Sequence, residues 1–114
     1  MKVAAGSHTG TGTWLVQRAT AVALAVALPL LCVHVLAGLS VDFAAWRALF
    51  QPQAMRVACV LTAAALALHA WVGMRDVFMD YVRPTLLRLA LYLAVIVILA
   101  GSVAVLAVTL WSLP

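Results

Sequence analysis

Charge is scarce in this sequence. Of its 114 residues only 9% are charged, and the acidic ones number three, all aspartates: Asp42, Asp76 and Asp80. A soluble domain carries roughly a quarter of its residues as Asp, Glu, Lys or Arg, so a water-covered globule is excluded. Basic clusters are missing too. The seven Lys and Arg, which set a net charge of +4, stand singly beside apolar blocks; they read as membrane-flank anchors and not as a nucleic-acid surface. Cysteine is equally thin. Cys32 and Cys59 lie inside apolar blocks with no paired spacing, so they are expected to be small core residues and identify no redox compartment.

What is present in quantity is hydrocarbon. Hydrophobic residues make up 68% of the chain, and the mean hydropathy is +1.18. No charge occurs from Ala19 to Val41, from Val57 to Met74, or from Leu89 to Pro114. Each run reaches or approaches the ~20 residues a helix needs to cross ~30 Å of hydrocarbon. The expected fold is therefore all-α, a single membrane domain with transmembrane helices at about residues 15–39, 54–79 and 86–112. The first apolar block is long enough to span, so no cleaved leader is expected. Pro29 should kink the first helix or loosen one of its turns. Residues 40–53, with Asp42, Phe43, Trp46, Arg47 and Phe50, form an amphipathic mixture suited to an interfacial loop or short surface helix. Pro52 marks the next boundary, and Tyr81-Val82-Arg83-Pro84 makes the second connection.

Three crossings put the N-terminus and the second connection on one side. That side carries Lys2, Arg18, Arg75, Arg83 and Arg88, against Arg47 and Arg56 on the other, which favours a cytoplasmic N-terminus. Residues 1–13, rich in Gly, Ser and Thr, read as a cytoplasmic tail, flexible or partner-bound. Alanine seams (Ala19, Ala23, Ala27; Ala63, Ala67; Ala100, Ala104) offer close helix packing. Three such thin helices bury little, so a partner chain in the membrane is expected.

Polar residues in lipid carry the chemistry, because placing them there is costly. His34 and His69 lie within the first and second spans, and neutral imidazole is a good axial ligand for haem iron. They do not suit one haem together. His34 lies 16 residues after Arg18, or ~24 Å along the axis, and His69 six residues before Arg75, or ~9 Å from the same side. A mismatch of ~15 Å is too large for two axial ligands, so an opposite ligand to His69 must come from another chain. His34 reads as a packing or hydrogen-bonded histidine. For His69, flanked at i−4 and i+4 by Ala65 and Gly73, two readings stay open: a haem ligand with room for a flat macrocycle, or a histidine bonded to a neighbouring helix. Asp80-Tyr81 at the cytoplasmic exit could donate to a quinone carbonyl and position protons, or serve as interfacial tyrosine beside an aspartate paired with Arg83. Arg18 could pair with a haem propionate or with lipid phosphate.

The run His69-Ala70-Trp71-Val72-Gly73-Met74, then Asp80-Tyr81-Val82-Arg83-Pro84 and Leu87-Arg88-Leu89, resembles the hydrophobic membrane anchor subunits of bacterial succinate dehydrogenase. Val16-Gln17-Arg18-Ala19-Thr20 resembles the Arg-Ala-Thr start of the first helix in that family. The likeness extends over about residues 13–112; the first helix and the loop after it match only in hydropathy. Where some members carry an acidic residue before Arg-Ala-Thr, this chain has Thr13 and Trp14, so no acidic role transfers.

The resemblance implies a subunit that catalyses nothing alone. It would join a cytochrome b556-type membrane subunit in a heteromeric helix bundle, anchoring a flavoprotein and an iron–sulfur protein at the bacterial inner membrane. A haem b shared by the two anchors would take His69 as one axial ligand and Arg18 as a propionate contact. Tyr81, with Asp80 near the proton path, would hold ubiquinone, linking succinate oxidation in the tricarboxylic acid cycle to the respiratory chain. The competing readings are a fumarate reductase anchor and a small structural membrane protein without cofactor.

Overall fold

A computed structural model describes the backbone of residues 3–39 and 41–113, with side chains from Gly12 onward. The described residues form four helices: α1 (Val3–Ala37), α2 (Phe43–Ala48), α3 (Gln53–Tyr81) and α4 (Thr85–Trp111). Gly12–Ala37, α3 and α4 are each long and apolar enough to cross a membrane, and no strand occurs among the described residues. This is the expected all-α, three-span membrane fold.

The ends of α3 and α4 lie within two residues of expectation, and their causes are local. Pro52 and Pro84 sit in extended backbone just before the two helices, where a missing N–H costs nothing and the ring pre-sets the turn. Val82 closes α3 by donating its N–H to Phe78. The interfacial stretch folds a short helix, α2, in which Trp46 meets Phe50 edge-on at 5.1 Å and Arg47 lies over Phe43 at 5.9 Å.

The beginning of α1 differs from expectation. The helix starts at Val3 and not near Leu15, so the stretch read as a tail is helical over most of its length. Extending an existing helix fixes one residue per hydrogen bond, far cheaper than nucleating one, and so the long apolar segment carries Gly- and Ser-containing sequence along with it. At 1.5 Å per residue α1 is ~52 Å long, well beyond ~30 Å of hydrocarbon. Pro29 is accommodated inside the unbroken helix.

The packing follows the chain. α1 runs along α3 and α3 along α4, while α1 and α4 make no contact with each other among the described residues. α3 is thus the middle of a three-helix layer. Trp71 of α3 meets Tyr92 of α4 edge-on at 5.5 Å, and Phe78 adds a tilted contact to the same ring at 6.1 Å. With Trp71 turned to α4, His69 lies ~200° away round the helix, on the side of α1. Little is buried: only Thr20, Leu24, Met55, Thr62, Val72 and Leu110 among the described residues. Ala63 and Ala67 border grooves shared with α4. Ala19 and Ala23, by contrast, are exposed, so the α1 face meeting α3 is built on Gln17, Thr20 and Leu24 instead. Nor is Cys32 a core residue; it is an exposed free thiol, and Cys59 is half-buried.

Candidate functional site

The site is built where Thr13–Thr20 of α1 runs along His69–Asp76 of α3. His69 Nδ1 lies 3.1 Å from the hydroxyl of Thr20. One turn away, the position a Gly73 side chain would take is bordered at 4.0 Å by Gln17 Nε2. A further turn out, Thr13 and Asp76 line the same recess. The two helices are therefore antiparallel in constant register, each step up α1 matched by a step down α3.

That register separates the two membrane histidines. His34 lies 14 residues beyond Thr20, ~21 Å along the axis from the level of His69. One haem cannot take both. His34 is exposed and makes no side-chain hydrogen bond among the described residues, so the packing role expected of it is not filled within this chain.

His69 is half-buried. Thr20 holds its Nδ1, while no described residue bonds its Nε2. The two open readings of this histidine are not alternatives in the structure, since a bond to the neighbouring helix uses one ring nitrogen and leaves the other available. Gly73 faces Gln17 of α1, and a Cβ there would meet only Gln17 Nε2, at 4.0 Å, an ordinary contact, so the approach of the two helices does not depend on the glycine.

Arg18 lies two residues before Thr20, exposed, with its guanidinium 5.5 Å above the Trp14 ring. With Thr13, Trp14, Gln17, Val72 and Asp76 it lines a recess of about 380 Å³. Arg75 approaches Asp76 at 3.5 Å. Among the described residues, Gln17 Oε1 and Arg75 Nε are buried without a hydrogen-bond partner. Sequence reasoning used Arg75 only as a membrane-flank charge and gave Gln17 no role of its own. The signal it could have used is a glutamine one turn before Thr20 at the start of a span, since uncharged polar side chains there also need a partner.

Tyr81 and Asp80 stand apart from this cluster. Tyr81 is the last residue of α3 and 80% exposed. It lies 12 residues after His69, ~18 Å along the axis. Asp80 is exposed as well and forms no ion pair with Arg83 among the described residues. The structure thus joins His69 to α1, sets Arg18 nearby on the same helix, and leaves Tyr81 at the rim.

Residues 3–109 match the family described as succinate dehydrogenase/fumarate reductase transmembrane subunit. The chain is also 33% identical, over 95 residues covering 83% of each protein, to the succinate dehydrogenase hydrophobic membrane anchor subunit of Coxiella burnetii (strain RSA 493 / Nine Mile phase I). A family match over nearly the whole chain, together with three apolar spans, makes this a multi-pass membrane anchor subunit belonging to the succinate dehydrogenase/fumarate reductase transmembrane family.

Proposed function

We propose that this chain anchors a succinate:quinone oxidoreductase, shares a b-type haem with a cytochrome subunit through His69, and contributes Tyr81 to the ubiquinone reduction site. The observation that carries the reading is the division of labour on His69: Nδ1 is engaged by Thr20, while Nε2, at a half-buried position, is bonded by none of the described residues. Metal-bound histidines characteristically hold their second nitrogen in such a bond. Of the two membrane histidines only His69 would hold the haem, because His34 lies too far along the bundle; a second ligand would come from the partner.

The roles of the chain's own residues follow from position. His69 presents a neutral imidazole nitrogen in the apolar layer. Arg18, always charged and held over Trp14, suits a propionate carboxylate at the membrane edge. Haem, when bound, supplies a one-electron carrier within the bilayer. Tyr81 donates its hydroxyl hydrogen to a quinone carbonyl, and Asp80 beside it holds or passes a proton as the ring gains two electrons and two protons from succinate oxidation. Its exposure at the helix end leaves that site to be completed by iron–sulfur and cytochrome partners, with the flavoprotein bound beyond them. The cytoplasmic placement of this rim, at the inner membrane of a bacterium, rests on the five-to-two excess of Lys and Arg.

The test is a dithionite-reduced minus air-oxidised spectrum of the complex that co-purifies with the tagged chain. A sharp b-type α band is expected. A preparation with flavin and iron–sulfur protein but no haem signal would identify a haem-free anchor of the fumarate reductase kind, and the absence of all partners would leave a structural membrane protein. Orientation has its own check. A single cysteine at Val41, in a chain lacking Cys32 and Cys59, is expected to react in intact spheroplasts with a thiol reagent that cannot cross the membrane. Labelling only after lysis would invert the topology.

A further inference from the structure

Thr20 is buried, 7% exposed, and its single hydroxyl hydrogen is already placed. Its Oγ1 lies 2.7 Å from the carbonyl oxygen of Val16 and 3.2 Å from that of Gln17. Two oxygens at the shorter separation need a hydrogen between them, and only the hydroxyl can supply it. The hydrogen shared with His69, at 3.1 Å, must therefore come from the ring. Nδ1 is protonated, the hydroxyl oxygen is its acceptor, and Nε2 carries the lone pair.

We infer that Thr20 is a positioning residue for the haem ligand: it holds His69 in the tautomer with Nε2 bare, sets the plane of the ring, and strengthens the imidazole as an electron donor. This rests on the assignment of His69 as an axial ligand. A Val16 carbonyl drawing on the hydroxyl polarises the whole chain of bonds toward α1. The hydroxyl in turn draws on Nδ1–H and gives the ring partial imidazolate character, which favours ferric over ferrous iron. Thr62 provides an internal comparison. It is similarly buried and bonds its own helix carbonyl, Ala58, at 2.7 Å, but has no partner on another helix among the described residues.

The experiment uses the assembled complex, with haem potential by redox titration and the low-spin ferric electron paramagnetic resonance signal as readouts. Thr20→Val is expected to raise the midpoint potential and move the largest g value, because the ring loses both its acceptor and its orientation. Thr20→Ser and Thr62→Val are expected to match the parent. Should Thr20→Val fail to assemble, Thr20→Cys decides: sulfur accepts weakly, so an upward shift in Cys but not in Ser supports the inference. Equal potentials and signals in Thr20→Val (or in Cys and Ser) at parental haem content would overturn it while leaving His69 as ligand. Haem that persists unaltered in His69→Ala would overturn the ligand assignment, and this inference with it.

Discussion

Replacing His69 by alanine is expected to reduce haem per flavin in the purified complex by at least about tenfold. Loss of supporting residues around a bound metal already costs about 10- to 100-fold in affinity, and here the substitution removes a ligand itself. The scaffold should survive the change. His69 is half-buried and its bond to Thr20 contributes roughly 1 kcal/mol, while α3 keeps its contacts to α4 through Trp71 and Phe78. Chain levels in the membrane, followed by the tag, should therefore fall much less than haem does. His34→Ala serves as the control. At ~21 Å along the axis from the site, it is expected to retain full haem content. Equal haem in the His69 variant and the parent would refute the assignment.

Tyr81→Phe is expected to lower kcat/KM for ubiquinone about tenfold or more. The aromatic ring and the end of α3 are retained, so what disappears is one donor to a polar carbonyl, a loss of about 1–3 kcal/mol. Two companion measurements localise the effect. Succinate oxidation with a water-soluble artificial acceptor should be unchanged, because it bypasses this chain. Haem content should also be unchanged, since Tyr81 lies ~18 Å along α3 from His69. Undiminished quinone turnover would remove Tyr81 from the site and leave it as an interfacial anchor.

The spans were legible because lipid leaves a coarse signature: charge vanishes for a bilayer's width, and Pro52 and Pro84 punctuate the runs. Which face of each helix meets its neighbour was not. In water an amphipathic stripe reveals the buried face, but in lipid both faces are apolar and the contrast is gone. Hence Ala19 and Ala23, expected to form a seam, are exposed, while Gln17 and Thr20 line the contact. Thr20 was silent for a further reason, as a threonine in a helix can satisfy itself on its own carbonyl and gives no sign of a second partner. The separation of His34 from His69 was anticipated at ~15 Å and is ~21 Å along the axis. The difference arises because Arg18 and Arg75 are not level; in the α1–α3 register Arg18 stands at the level of Trp71, one turn deeper than Arg75. For Asp80 and Tyr81 the residues alone leave quinone chemistry and an interfacial tyrosine both open, and only the resemblance favours the first.

Because α1 and α4 do not touch among the described residues, the contacts between spans are those of hairpins joining successive ones. Such hairpins can close in the order in which the ribosome delivers them, with no long-range rendezvous to wait for. They also leave the three spans without a shared interior. The lifetime of the newly inserted chain is then set by how soon a partner arrives: its apparent stability rises with partner concentration by mass action. Chain made in excess over its partners is therefore expected to be the less stable fraction in the membrane.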